Sequence, residues 1–499
     1  MAELDDRPHP PGDYPVIVLG TGPGGLQASY SLARLGIGHA LLSADDHAAG
    51  MFRRFPFFQR LISWTKPYAP YSRGSREYEW YDWNSLIGEE PDHRALVPEF
   101  MDGMSTFPSR AEMQRGLEAF AERGKIRARY GCRWEGTKAR DGRFTVLTSD
   151  GEYRCGVLIV AVGMTAPWKA DIPGIEEVPH YVETDDPEAY ADRTVFIIGK
   201  RNSGFEIADG LLPWARQLFL ASPRPAKLSI LERSVAAARA RYMQPYEDHV
   251  LGGGTFIIDA AIERVERKGD GYRVFAKGTT HPGDMVFDVD RVIAATGFGT
   301  PLADLRDLGV ATFYQDRLPA QTPFWESTSV PGIHFAGSIT QGHIGLKKYG
   351  RPGGSASVHG FRYNARVLAE HLAETRFGIT VRRKTLEPDE VVTYLLAETT
   401  RAPELWHQQS YLARVVDFDR STGIVDRGIL PLSYFVDSSG PDAVAVAVET
   451  DDRGDIHPAV YCRREGRVDE HVLPGDPLLN FETKEHRSRL EGLVKGFLS

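Results

Sequence analysis

The chain has 499 residues, 42% hydrophobic and 25% charged, the composition of an ordinary folded protein with length for about three domains. Its formal charge, 59 − 68 = −9, argues against a nucleic-acid or acidic-membrane surface, and no apolar run approaches the roughly 20 residues of a membrane helix. Three cysteines, Cys132, Cys155 and Cys462, fall in no C-x-x-C pair, which excludes a disulfide framework and leaves no metal-ligand spacing.

The chain starts "MAELDDRPHPPGDYP", acidic and proline-rich rather than basic and then apolar. A signal peptide is therefore not expected, and the cytoplasm is the expected compartment. The apolar run Val16 to Leu19 reads as a parallel strand buried on both faces. Gly20-x-Gly22-x-x-Gly25 follows, with Pro23 and Gly24 inside the turn. A helical pattern from Leu26 to Leu35 stops at Gly36, and His39 to Leu42 is a second apolar strand. Strand, glycine turn, helix and strand in register over about 30 residues form a dinucleotide-binding unit, whose free helix amides hold a pyrophosphate. Ribose recognition is expected next. Ser43 stands 23 residues after Gly20, followed by Ala44, Asp45 and Asp46. The serine can hydrogen-bond a ribose, and Asp45 can supply the carboxylate.

A second unit begins at "VFIIGKRNSGFEIAD", Val195 to Asp209. Its turn is Gly199-x-Arg201-x-x-Gly204, with Asn202 and Ser203 between. An arginine thus stands where a glycine would let the backbone approach a pyrophosphate. Counting 23 residues from Gly199 reaches Ser222, so the units repeat in spacing, but "SPRP" with Arg224 follows in place of carboxylates. Acidic residues suit a free ribose and an arginine suits a 2′-phosphate, which predicts FAD in the first unit and NADPH in the second. Arg201 is expected to reach across a widened gap and clamp the NADPH pyrophosphate.

Two apolar strands that close on glycine bracket the second unit: "VLIVAVGM", with Gly163, and "RVIAATGFG", with Gly297. The chain should therefore leave the first domain and return to it. "GIHFAGS", with Gly337 and Ser338, is another such strand. Pro352 to Gly354 should start a helix running to about Arg376, its N-terminus facing the flavin ring. Beyond about residue 380, "DAVAVAVETDDRGDIHPAVYC" alternates like a hairpin, and Leu490, Leu493, Val494 and Phe497 recur at helical spacing. The expected fold is α/β: two Rossmann-like dinucleotide-binding domains, the second inserted into the first, plus a small C-terminal α+β domain. The boundaries are 13–165 with 291–378 for the FAD domain, 166–290 for the NAD(P)H domain and 379–499 for the appendage.

These segments resemble the two-dinucleotide-binding-domain flavoproteins related to flavin-containing monooxygenases. "GTGPGGLQASYSLARLG", "FQRLISWTKPY", "DWNSL", "GKRNSGFEIA", "HGFRYNAR" and "HPAVYCRR" carry the resemblance. It is narrowest to the branch typified by the endoplasmic-reticulum FAD-dependent oxidoreductase linked to protein degradation. The ending "KGFLS" is not a retention signal, so a role in that compartment is not expected. The resemblance implies FAD contacts from Gly20, Gly22, Pro23, Gly24, Gly25, Ser43, Ala44, Asp45, Met51, Phe52, Cys132, Gly163, Gly337, Ser338 and Gly354. It implies NADPH contacts from Gly199, Arg201, Asn202, Ser203, Gly204, Ser222, Arg224 and Gly297. It also brings the belt "WTKPYAPYSRGSREYEWYDW" near the flavin. There Lys66 and Asn84 would hydrogen-bond flavin or peroxide, and Tyr68, Tyr71 and Trp80 would wall an apolar pocket; aromatic packing between domains is the alternative. Lys347, Lys348 and Arg351 would hold a substrate carboxylate, unless they form a solvated loop. Ser43 and Arg201 depart from the family pattern. So does the stretch "GIEEVPHYVETDD", which keeps His180 but not the F-x-G-x-x-x-H fingerprint, making Baeyer–Villiger chemistry the less expected outcome.

With no cysteine pair to relay electrons, disulfide reduction is set aside. What remains is reduction of FAD by NADPH and reoxidation by molecular oxygen. The expected activity is a monooxygenase acting on a small molecule, with hydroxylation of an amine nitrogen common among relatives. The alternative is a flavoprotein scaffold, or an oxidase with little oxygen transfer, that binds a protein partner. No metal, nucleic-acid or membrane partner is expected, and a homodimer is allowed.

Overall fold

Residues 6–56, 60–228, 238–243, 254–343, 353–419 and 421–498 are described in a computed structural model of the chain. The strand Asp13–Leu19 lies inside a six-stranded sheet, parallel to His39–Leu42 on one side and to Gly151–Val160 on the other. Gly151–Val160 also takes Ile333–Phe335 in parallel and Arg143–Thr148 in antiparallel, so one long strand serves both a parallel core and a meander. Val16, Ile17 and Val18 are wholly buried, as a strand covered on both faces requires. Helix Pro23–Arg34 covers one face and packs on the long helix Val358–Arg376 from the far end of the chain.

The second sheet runs in the order Asp284–Val289, Gly271–Gly278, Thr255–Lys268, Gln217–Ser222, Thr194–Ile198, Arg291–Ala294, and its last four strands are parallel. Helix Asn202–Leu211 buries Phe205, Ile207, Ala208 and Leu211 against it. The outgoing and returning chain segments, Ala166–Pro167 and Phe298–Gly299, pair antiparallel. This corrects one boundary. The strand from Arg291, expected to open the returning half of the first domain, completes the second sheet, and the return falls at Phe298–Gly299. The reason is that each glycine turn needs a strand end behind it. A Cβ on Gly20 would lie 2.7 Å from the Ala161 carbonyl oxygen, and one on Gly199 would collide with that of Ala295. Both glycines hold positive φ, +102° and +124°, which a side chain would oppose.

The third sheet is antiparallel throughout: Lys384–Thr385, Gly423–Pro431, Leu412–Asp419, Ala443–Thr450, Ile456–Arg464, Arg467–Val472. The alternating segment does form a hairpin, yet Ala443–Thr450 is buried along its whole length. Its alternation is one of size. Val444, Val446 and Val448 enter the core shared with helix Val358–Arg376, while Ala443, Ala445 and Ala447 sit under Leu432 and Phe435. The C-terminal unit is thus continuous with the core of the first domain. Helix Lys484–Val494 buries Leu490 and Val494, with Leu493 and Phe497 partly covered. Among the described residues no helix is long and apolar enough to cross a membrane.

Candidate functional site

Helix Pro23–Arg34 begins after Gly22 with proline in its first turn and no side chain capping its amides. These amides open on a cavity of about 360 Å³ lined by Gly20, Gly22, Pro23, Gly24, Ser43, Ala44, Asp45, Met51, Cys132, Gly163, Gly337 and Ser338. Gly24 and Gly337 touch so closely that a Cβ on Gly24 would collide with Gly337, which draws the two chain ends of the site together. Three expected residues lie elsewhere. Gly25 is beneath the turn, where a Cβ would strike the Gly20 carbonyl. Phe52 is in the core, and Gly354 abuts the His407 carbonyl. The Ser43 hydroxyl is taken up locally, accepting from Thr21 Oγ1 (2.7 Å) and the Asp45 amide (3.2 Å). Asp45 pairs with Arg54, so an acid–base pair lines the same cavity as Ser43. Arg54, Arg133, Trp134, Met164, Thr165 and Phe361 also line the cavity, and no motif pointed to them. Uncapped amides for an oxyanion and a glycine-floored cleft fit the pyrophosphate half of FAD.

The second turn repeats the first. A Cβ on Gly204 would strike the Gly199 carbonyl as one on Gly25 strikes that of Gly20. Helix Asn202–Leu211 has no side-chain cap. Arg201 is its N-cap, in extended conformation, and its side chain is exposed without a partner among the described residues. Its side chain therefore does not fill the turn. Ser222 Oγ donates to the Arg224 carbonyl (3.4 Å), and the Arg224 side chain is exposed. Gly297 has φ +105°, its carbonyl 2.9 Å from His180 Nε2.

The belt does not assemble as expected. Lys66 is exposed, its ammonium 5.7 Å above the Tyr81 ring. Asn84 is buried and fully engaged: Oδ1 accepts from Ser63 Oγ, and Nδ2 donates to the Ser63 carbonyl (3.0 Å) and Thr65 Oγ1 (2.9 Å). Tyr68 and Tyr71 are 84% and 45% exposed, and Trp80 packs at a tilt against Trp406 of the C-terminal unit. Lys347, Lys348 and Arg351 lie outside the described residues. A different cluster forms instead, with Trp83, His359 and His407 rings 4.4–5.6 Å apart. Burial, with the charges of Arg362 and Arg239, pushes His359 down to about 3, and His407 is held well below the usual range for the same leading reason. Trp83 Nε1, His359 Nδ1 and Gln408 Oε1 are buried and make no hydrogen bond. "DWNSL" and "HGFRY" touch each other here, so the signal lay in those motifs, but the partner on His407 lay in no motif.

All three cysteines are buried and free. Burial raises the Cys132 thiol and pushes Cys155 up to about 12 and Cys462 up to about 11, so none is poised as a thiolate.

A family model described as pyridine nucleotide-disulphide oxidoreductase matches residues 17–337. FAD-dependent oxidoreductase domain-containing protein 2 of Mus musculus is 26% identical over 445 residues, covering 82% of this chain and 64% of that protein. The chain thus spans less than two thirds of that relative's length. Two solved structures share the fold. A bacillithiol disulfide reductase from Staphylococcus aureus gives a TM-score of 0.57 at 16% identity, and a flavin-containing monooxygenase from Stenotrophomonas maltophilia gives 0.55 at 18%. Each likeness covers 73% of this chain and 99% of the other. With two Rossmann-like sheets, each carrying an uncapped glycine turn, the chain belongs to the pyridine nucleotide-disulphide oxidoreductase family, with FAD and NADPH as its cofactors.

Proposed function

We propose that this chain is an FAD-dependent, NADPH-consuming monooxygenase acting on a small molecule, with an amine nitrogen as the atom oxygenated. The observation that carries the reading is two dinucleotide turns in one chain whose thiols are all buried and free. Bound FAD and NADPH would supply the hydride transfer and the activation of molecular oxygen, the difficult chemistry being the cofactors'. The chain's residues would do the positioning. Amides of the first turn would hold the FAD pyrophosphate, and those of the second the NADPH pyrophosphate. Trp83, His359 and His407 would keep water from the ring end, and the histidines, held neutral, would not repel a cationic amine. The likeness to a flavin-containing monooxygenase supports this reading at the level of fold.

One observation favours a second reading, an oxidase with little oxygen transfer. Asn84 is committed to Ser63 and Thr65 and Lys66 is exposed, so neither expected oxygen-handling group is free to act. One assay separates the two. FAD-loaded protein is given NADPH, a panel of amines and isotopically labelled oxygen. The proposed activity yields a product carrying one labelled oxygen atom per NADPH. Hydrogen peroxide as the sole oxygen product with every amine would favour the oxidase, and very slow NADPH consumption throughout would favour a scaffold.

A further inference from the structure

The short stretch Ala238 to Met243 lies across the seam between the two dinucleotide units, and three contacts fix it there. The Arg239 amide donates to Oδ1 of Asn202 (3.1 Å), the first residue of helix Asn202–Leu211. The Tyr242 hydroxyl donates to Glu206 (3.0 Å), one turn further along that helix. Arg241 reaches the other way, donating to the Arg60 and Leu61 carbonyls (3.3 and 3.1 Å) over the Phe107 ring of the first domain.

Tyr242 is satisfied by these contacts, and Arg241 donates through Nη2 although its Nε is buried without a hydrogen bond. Arg239 donates from no guanidinium nitrogen to any described residue. Its Nε is buried without a hydrogen bond, and no described carboxylate or carbonyl meets its guanidinium. Burial lowers its pKa, and the like charge of Arg241 adds to that, with the Tyr242 hydroxyl opposing. Its charge is also felt at His359, which stands in the first turn of the helix Val358–Arg376. A half-buried guanidinium with no partner among the described residues is open to an incoming anion. Its fork suits two phosphate oxygens, as a lone ammonium would not. Arg201, next to the same helix start, points into solvent.

We propose that Arg239 is the oxyanion-binding residue of the second dinucleotide unit, holding the pyrophosphate of NADPH in the role that the turn's own Arg201 does not fill. The inference rests on the two-cofactor reading. It differs from it in naming a residue that lies outside the glycine motif and comes from a separate stretch of chain.

The test compares FAD-loaded wild type with Arg239→Ala, Arg239→Lys and Arg201→Ala. Equilibrium binding of NADP+ and NAD+ is measured by calorimetry without substrate, with FAD content and Tm as controls of folding. Arg239→Ala should weaken both nucleotides by about tenfold, the effect of one lost charge-assisted hydrogen bond. Arg239→Lys should fall between, and Arg201→Ala should stay within about twofold, as an exposed unpaired charge predicts. Inorganic pyrophosphate should compete with NADP+ on wild type and compete more weakly in Arg239→Lys, which keeps the test open if the alanine variant does not fold. Unchanged binding in Arg239→Ala overturns the proposal. So does a loss confined to NADP+, because the contact would then be to the 2′-phosphate. If wild type binds neither nucleotide, the two-cofactor reading fails, and this inference with it.

Discussion

Arg362 shows how a single buried side chain holds two distant segments of the chain together. Its guanidinium donates to the carbonyls of Asp82 (2.9 Å), Ser85 (2.7 Å) and Glu79 (3.1 Å) and to the Tyr363 hydroxyl (2.9 Å). One residue of "HGFRY" thereby bolts the "DWNSL" segment onto the helix Val358–Arg376. Alanine there would strand those buried carbonyls and leave a cavity, so unfolding free energy should drop by about 3–5 kcal/mol. Lysine should recover only part, since a point charge cannot serve a fork of acceptors. Denaturant titration of the FAD-bound protein checks this, and a loss below about 1 kcal/mol would mean the carbonyls find other partners. At this scale the glycines were the most legible residues. Gly20 and Gly199 stand where backbone meets backbone, which no other residue type permits. Arg201 was legible as a departure, but a residue type does not tell which way an N-cap side chain points.

The helix Val358–Arg376 carries the second expectation, a pH dependence. Burial holds His359 at about 3, against 6.5 when unfolded. Below about pH 6.5 the unfolded chain therefore binds a proton that the folded chain refuses, and stability falls as pH drops, by about 1.4 kcal/mol per unit. His334 and His343, both pushed down to about 4, act in the same direction. Asp417, raised to about 6, and Glu79, also raised, act oppositely, because the folded chain keeps their protons longer. The clean quantity is a difference. His359→Gln should make the stability slope between about pH 6 and about pH 5 shallower by roughly one proton. Denaturation midpoints at the two pH values measure it, and an unchanged slope would show that His359 titrates normally. The elements themselves were legible where a covered strand must be apolar on both faces, as in Asp13–Leu19. The hairpin forms as its alternation implies, but the strand Ala443–Thr450 alternates valine with alanine between two buried faces, not core with solvent. Gly353 and Gly354, expected to open the flavin-facing helix, form a turn before it, because a Cβ on either would crowd Gln408 or the His407 carbonyl.

Across the whole molecule the C-terminal unit is the part that the sequence described least. Its contacts join residues hundreds of positions apart, which no local period encodes. Arg76 pairs with Glu398 and Glu404, Arg366 also meets Glu404, and His407 completes the ring cluster with Trp83 and His359. The appendage thus packs onto the first domain around Trp83 and His359. Two antiparallel chain crossings meanwhile leave the second dinucleotide unit linked to it through Ala166–Pro167 and Phe298–Gly299. That architecture has one central claim: the second unit delivers electrons from NADPH to FAD held in the first. The direct measurement mixes FAD-loaded protein with NADPH in the absence of oxygen and follows the yellow absorption of the oxidised flavin. The account predicts that the colour bleaches, faster with NADPH than with NADH, and returns when oxygen is admitted. A protein that takes up no FAD, or whose flavin stays yellow under saturating NADPH, would contradict it.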